Sequence, residues 1–310
     1  MNNLTLQISP HMHDRASTTR IMLDVIIALM PTAVASVILF GWRSALVIAV
    51  CVAAAVLSEW LFELICKKEN TVSDLSAVVT GILLAFNLPV DIKLWQAAFG
   101  SVVAIVVVKQ LFGGIGKNFA NPAITARIVM FISFSSTMSK WVLPLIKGDA
   151  STGATPLAVL NGTEGELPPL KDMLLGIRGG CIGETCALTL IIGGVYLLVR
   201  KVITWHAPVA FIGTVFLFTL ILGENALYHV LAGGLLLGAI FMATDYSTTP
   251  YTKWGKVIFG IGCGIFTVVI RKWGSYPEGV SFSILFMNIV TPFINKLTHS
   301  NPFGGVRNEK

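Results

Sequence analysis

Apolar residues run along the chain in ten blocks, near 21–42, 44–65, 74–89, 95–112, 119–136, 174–199, 206–222, 225–244, 255–270 and 279–296, with short polar joints between them. Most approach or reach the length a helix needs to cross the hydrocarbon core of a bilayer. The pattern predicts an all-α polytopic membrane protein of about ten transmembrane helices. Two blocks close on residues that stop a helix, Asn87-Leu88-Pro89 and Asp245 to Pro250. Proline ends the hydrogen-bond ladder, and the polar residues before it can answer the backbone groups it frees.

The two halves echo each other. GILLAFNLP (81–89) is followed by a Trp and then FGSVVAIVVVKQLFGG; GAIFMATDYSTTP (238–250) is followed by a Trp and then FGIGCGIFTVVIRKWG. With five blocks per half, the second half crosses in the opposite sense, which predicts two inverted five-helix repeats with sites near the midplane at interrupted helices. The resulting organisation is a cytoplasmic leader (1–20), a first repeat (21–136), an extracytoplasmic loop (137–173), a second repeat (174–297) and a cytoplasmic tail (298–310).

Composition sharpens the class. Hydrophobic residues make up 55% of the 310 residues and charged ones only 12%, against about 25% charged in an ordinary soluble domain. The polar start, MNNLTLQISPHMHDRASTTR, lacks the apolar core of a cleavable signal and reads as a cytoplasmic leader. With the N-terminus inside, Lys and Arg concentrate on the cytoplasmic side, Arg271 and Lys272 being a local exception. The net charge of +6 is thereby explained by orientation and membrane lipids, without a nucleic-acid partner.

Cys51, Cys66, Cys181, Cys186 and Cys263 form no C-x-x-C pair and read as small buried hydrophobes, so no complete iron–sulfur cluster is expected. The scattered histidines suggest no metal set, and no metal is expected. LFGGIGKNFANPA (111–123) lacks the G-K-[ST] of a nucleotide loop.

Ionisable residues in apolar blocks are expensive and should pair, face the bundle interior or meet water. Glu59, Glu63 and Asp74 read as interfacial. Asp24, Glu184 with Thr185 in GCIGETC, and Asp245 in FMATDYSTTP are the candidates for contacts to an ion or a cofactor, the last two acids lying among small residues.

One polar clause stands apart: DASTGATPLAVL, 149–160. Thr155 precedes Pro156, and Thr at the N-cap with Pro at the first helical position predicts a short helix on the outer surface. Gly153 and Ala154 are expected to leave the Thr155 hydroxyl open, and a phosphoryl group there would meet free amides at the helix N-terminus.

D-A-S-T-G-A-T resembles the flavinylation motif whose last Thr carries FMN through a phosphoester. SPHMHDRASTTRIM (9–22), KNFANPAITAR (117–127), GGCIGETCALTLIIGG (179–194), GAIFMATDYSTTP (238–250) and YPEGVSFSILFMNIVTP (276–292) extend the likeness along the chain in order. The whole resembles the D subunit of the Rnf complex and, more distantly, the B subunit of the sodium-pumping NADH:quinone oxidoreductase. Thr152 and Cys186 stand where Ser is usual, both mild changes.

The resemblance implies an electron-transfer subunit of a ferredoxin:NAD+ oxidoreductase that moves Na+ or H+ across a bacterial cytoplasmic membrane. It has no complete active site of its own. FMN on Thr155 would be installed by a flavin transferase, with Ser151, Thr152, Gly153 and Ala154 shaping the attachment turn. A non-covalent flavin, riboflavin, is a further expectation deeper in the bundle. The implied partners are the A, B, C, E and G subunits of the complex, the last above all. The protein's part is to hold the flavin and tune its potential. A rival reading, a small-solute channel or secondary transporter, fits the same inverted-repeat pattern and lacks only a use for the 149–155 clause.

Overall fold

The computed structural model describes residues 17–68, 70–144, 153, 155–163, 167–274 and 279–299, and among these the regular structure is helical, with no β-strand. The first half holds α1 (Thr18–Phe40), α2 (Trp42–Cys66), α3 (Ser76–Phe86), α4 (Leu94–Gln110), α5 (Pro122–Ser133) and the short α6 (Ser135–Met138). Two short helices follow, α7 (Pro156–Leu160) and α8 (Leu170–Leu175). The second half holds α9 (Ala187–Val199), α10 (His206–Ile221), α11 (Ala226–Leu231), α12 (Leu235–Leu237, continuing as π-helix Gly238–Met242), α13 (Lys253–Trp273) and α14 (Val280–Thr298).

Four of these, α1, α2, α13 and α14, are long and apolar enough to cross a membrane; α3, α4, α5, α9 and α10 are shorter apolar helices. With several apolar helices of this kind, the chain is a multi-pass membrane protein. Large apolar side chains such as Ile38, Leu64, Val199, Ile221 and Leu297 are exposed on the flanks, as a lipid-facing surface requires. The core is continuous from one half to the other and includes Ala28, Leu84, Phe86, Ile124, Phe211, Leu237 and Phe259.

The expected stops are present: α3 ends at Phe86 with Asn87 as its C-cap, and α12 ends at Met242 before Ala243 to Pro250. Two blocks expected to be single spans are not. Of 174–199, only Ala187–Val199 is a long helix, and Gly176–Cys186 runs as irregular backbone after α8. Of 225–244, helix α11 stops before Ala232, and Gly233 and Gly234 follow at φ 67° and 66°. Two successive left-handed residues cannot continue a right-handed helix, and only glycine adopts them without strain.

Each break leaves carbonyls that apolar surroundings cannot satisfy. At α3 the irregular segment does so directly: Gly183 N donates to Phe86 O (3.0 Å), Ile182 N to Leu88 O (3.0 Å), and the Cys181 thiol to Asn87 O (3.3 Å). At α11 two buried arginines do so. Arg178 donates to Leu231 O (2.6 Å) and also to Glu184 O (2.8 Å) and Thr185 O (3.3 Å). Arg271 donates to His229 O (2.6 Å), Ala232 O (3.0 Å) and Gly233 O (3.4 Å). The α3 and α12 stops also meet each other, since Asn87 Nδ2 lies 3.7 Å from Met242 Sδ and Asn121, the N-cap of α5, donates to Met242 O (3.4 Å).

Two outcomes follow. A Cβ on Gly183 would fall 2.3 Å from the Cβ and Cγ of Phe86, so Gly183→Ala forces the capping strand off α3. It is expected to lower stability by about 1–3 kcal/mol, read as a fall in unfolding temperature in detergent. Arg178→Met strips three carbonyls of their donor and is expected to lower stability by at least about 2 kcal/mol, with Arg178→Lys recovering part of it. Equal unfolding temperatures for wild type and Arg178→Met would contradict the capping role.

Candidate functional site

Thr155 stands at the N-cap of α7, with φ −71° and ψ 153°, and its hydroxyl oxygen accepts from Ala158 N (3.3 Å). Pro156 supplies a first-turn residue with no amide to satisfy, as the sequence predicts. Helix α7 is pinned over the α11–α12 break. Leu157 packs with Met173 and Ala232, and its Cδ1 occupies the space a Gly233 side chain would need. At the other end of α7, Asn161 Nδ2 donates to Arg271 O (3.1 Å). Before Thr155, Gly153 N donates to Trp141 O (3.2 Å), and Gly153 O lies beside Gly179 in the irregular segment. Ser151, Thr152 and Ala154 lie outside the described residues.

One expectation is corrected here. The Thr155 hydroxyl was expected to stand open to a modifying enzyme, but Thr155 is only 6% exposed. The cause is the packing just described: Leu157 draws the first turn of α7 down onto the break, and the cap faces the protein.

Glu184 and Thr185 belong to the same region. Both are buried, and the Glu184 carboxylate lies between two glycines, since a Cβ on Gly180 would come within 2.8 Å of Oε1 and one on Gly234 within 2.9 Å of Oε2. Arg178 is bonded to the main chain at both Glu184 and Thr185, so its cation stays near this carboxylate. Thr155, Glu184 and Thr185 are therefore gathered around the two helix breaks. The nearby Glu224, on the loop before α11, pairs with Lys272 and with His229 (2.8 Å). Partial burial opposes its ionisation, but the Lys272 and His229 contacts outweigh this and hold its carboxyl below the usual range.

Asp24 and Asp245 lie elsewhere, toward the C-terminal ends of α9 and α12. Asp24 is buried on α1 and pairs with Arg200 (3.2 Å) while accepting from the Tyr196 hydroxyl (3.0 Å), so its partners lie on and just after α9. That arrangement is a helix-to-helix tie with its charge already answered. The Asp245 carboxylate accepts from Ser247 (3.0 Å) and Thr248 (3.2 Å) and borders a cavity of about 310 Å³. Met22, Leu83, Lys109, Asn118, Asn121 and Phe241 are among the other residues lining it. Such a volume, mostly apolar with a few polar groups, is that of a small-molecule pocket.

The sequence missed a further group. Glu59 and Glu63, expected at the interface, are 0% and 3% exposed and are joined by the buried Lys109 and Gln110; Asp74 is half-buried beside them. Two signals were available: the four-residue spacing of the glutamates, which places them on one helix face, and a Lys-Gln pair inside an apolar block.

Residues 5–304 match the model of the NQR2, RnfD, RnfE family. The chain is 45% identical to the D subunit of the Na(+)-translocating ferredoxin:NAD(+) oxidoreductase complex of Acetobacterium woodii, the likeness covering 99% of this chain and 98% of that one. It is 42% identical to the D subunit of the proton-translocating ferredoxin:NAD(+) oxidoreductase complex of Clostridium ljungdahlii, over 98% and 97% of the two chains. With the D subunit of the ion-translocating oxidoreductase complex of Stutzerimonas stutzeri it shares 35% identity, over 94% and 93%. A motif borrowed by an unrelated scaffold would not extend from one end to the other, and the chain belongs to the NQR2, RnfD, RnfE family.

Proposed function

We propose that this chain is the D subunit of a membrane-bound, ion-translocating ferredoxin:NAD+ oxidoreductase complex and that it carries FMN as a phosphoester on Thr155. End-to-end similarity to D subunits of complexes with that name supports the first part. The observation that carries the second is the order Asp149-Ala150-Ser151-Thr152-Gly153-Ala154-Thr155, ending on a hydroxyl above the two helix breaks. A bound flavin supplies reversible electron transfer; the chain holds it and sets its surroundings. Gly153 and Gly179 leave the backbone bare beside the attachment point, and Arg178 and Arg271 put two fixed cations beneath it. Cations near a flavin favour its reduced, anionic forms and so raise its potential.

Because Thr155 is buried, attachment requires that α7 not yet be packed or that it lift. Only five residues move, held by Leu157 and the Asn161–Arg271 bond. The flavin transferase would thus act before α7 settles on Gly233.

The ten apolar passes, with α11 and α12 counted as one broken pass, are read as two inverted five-helix repeats in a bacterial cytoplasmic membrane. The N-terminus is cytoplasmic and 137–173 extracytoplasmic. On this reading Thr155 lies near the N-terminal ends of α9 and α12, and the cavity at Asp245 near their C-terminal ends. The thirteen residues of α9 separate the two by about 20 Å. The cavity is the place for the non-covalent flavin, with the Asn118 amide, whose Oδ1 is buried without a hydrogen-bond partner, offering a contact to its polar edge. The G subunit would deliver electrons on the Thr155 side, and the A, B, C and E subunits complete the complex. The ion moved is Na+ or H+, the two carried by the complexes of the relatives named above.

Protein isolated from its native host is expected to fluoresce under ultraviolet light on a denaturing gel. Thr155→Ser is expected to keep the signal and Thr155→Ala to lose it. Mass spectrometry of the 149–170 peptide is expected to show one FMN; a bare peptide from that source would refute the assignment.

A further inference from the structure

The segment joining α9 to α10, the loop after α12 and the first turn of α13 enclose a second pocket, of about 190 Å³, adjoining the larger cavity. Val202, Thr204, Asp245, Tyr246, Tyr251 and Lys256 are among the residues lining it. The close packing of α10 on α13 sets its shape. A Cβ on Gly260 would fall 2.7 Å from Ala207 O, and one on Gly264 would fall 2.6 Å from Thr214 Cβ, so the two helices touch along a glycine face. Lys256 lies on that face one turn before Gly260. It is held beside Thr204, and its ammonium donates to Thr204 Oγ1 (3.1 Å). The 244–251 loop forms a further wall, where the Tyr246 hydroxyl donates to Val202 O.

Two features mark this pocket as a binding site. First, one carboxylate and one ammonium line it without pairing. The Asp245 carboxylate accepts from the Ser247 and Thr248 hydroxyls, the Lys256 ammonium bonds to a neutral hydroxyl, and among the described residues neither forms an ion pair. Both residues are half-buried. The other charges of this end are engaged or turned to the outside: Arg200 pairs with Asp24 (3.2 Å), and Lys201, Lys253 and Lys296 are exposed. Opposite charges partly withdrawn from water are costly when they do not meet, and a ligand bearing both signs relieves both. Second, the rim is aromatic. Trp205, Tyr246, Tyr251 and Trp254 are each more than half exposed, as rings at a membrane–water interface are. Beyond Trp254, Ile258, Ile261 and Ile265 continue along one exposed face of α13.

We propose that this pocket binds the headgroup of a membrane phospholipid carrying a primary ammonium, of the phosphatidylethanolamine class. The phosphate lies on the Lys256 ammonium and the Thr204 hydroxyl, and the headgroup ammonium lies on the Asp245 carboxylate, so each charge of the ligand meets its complement. A phosphate alone would set a second anion beside Asp245, and a cation alone would face Lys256. A quaternary ammonium has no N–H to give the carboxylate, whereas a primary one has several. The bilayer rather than free phosphoethanolamine is the source, because the exposed isoleucine face of α13 gives acyl chains an apolar track that starts at Trp254, two residues from Lys256. Seated there, the lipid ties the loop after α12 to the start of α13.

Native mass spectrometry of the full chain in detergent, with phosphatidylethanolamine, phosphatidylcholine or phosphatidylglycerol of identical acyl chains, tests this. Wild type is expected to retain phosphatidylethanolamine about tenfold more strongly than either of the others, and Lys256→Gln to weaken that binding about tenfold. Asp245→Asn is expected to erase the preference over phosphatidylcholine while leaving phosphatidylcholine binding as in wild type. Free phosphoethanolamine in excess is expected to leave the lipid in place. The proposal is overturned by equal retention of phosphatidylethanolamine and phosphatidylcholine, by phosphatidylglycerol binding as strongly, by unchanged binding in Lys256→Gln, by a preference that survives Asp245→Asn, or by displacement with free phosphoethanolamine. Size-exclusion elution reports whether each variant folds; should either fail to, the wild-type comparison of the three lipids decides the matter. None of these readouts involves flavin, so a bare Thr155 would sink the flavin reading without touching this one.

Discussion

The structure depends on one constraint: a carbonyl released by a helix break inside an apolar molecule has no water to turn to. Helices α3 and α11 both stop within the protein, and each stop dictates what must lie beside it. The end of α3 requires donors, and residues 181–183 cross from the second half of the chain to provide them. The end of α11 requires several, and two guanidinium groups, from 178 and 271, converge there. The irregular stretch Gly176–Cys186 is therefore a capping element, and its glycines let it lie directly on Phe86. Because residues 181–183 belong to the second half, the α3 break fastens the two halves together, while the α11 break ties distant parts of the second half to each other.

The same requirement explains why the candidate residues separate into two groups. Around the α11 break, the arginines that cap the carbonyls also bring cations under α7 and beside Glu184. Around the end of α12, the hydroxyls of Ser247 and Thr248 turn inward to Asp245, and Thr249 Oγ1 returns to Ala243 O (2.9 Å). Neutral donors suffice at that stop, and a cavity remains beside it. One side of the interrupted layer is thus capped by guanidinium groups and filled, the other capped by hydroxyls around the Asp245 carboxylate and hollow.

Much of this was legible in the chain. Apolar blocks gave the helical class and the longer helices, and proline marked the stops after Phe86 and Met242. Thr155-Pro156 announced the cap of α7. The stops at 176–186 and 232–234 were hidden because an apolar block reads as continuous whether or not its glycines turn left-handed. Gly233-Gly234 carries no proline and no polar residue to betray it. The burial of Thr155 was hidden for another reason: it depends on Leu157 meeting Gly233, a contact between residues 76 positions apart.

Glu59 and Glu63 show the limit of hydropathy most plainly. A carboxylate near the end of an apolar block looks interfacial, because only its own helix is in view. Its partner lies fifty residues on and reaches it only where α4 widens into a π-helix, and no local pattern predicts that widening. On that π-helical turn Lys109 and Gln110, though successive, both reach Glu59 on α2. The irregular winding of α4 is thus what converts three acids and an ammonium into a connected set, just as the break in α11 converts two distant arginines into the floor beneath Thr155. In both places the departure from regular helix gathers the chemistry, and regular helix on either side holds it in position.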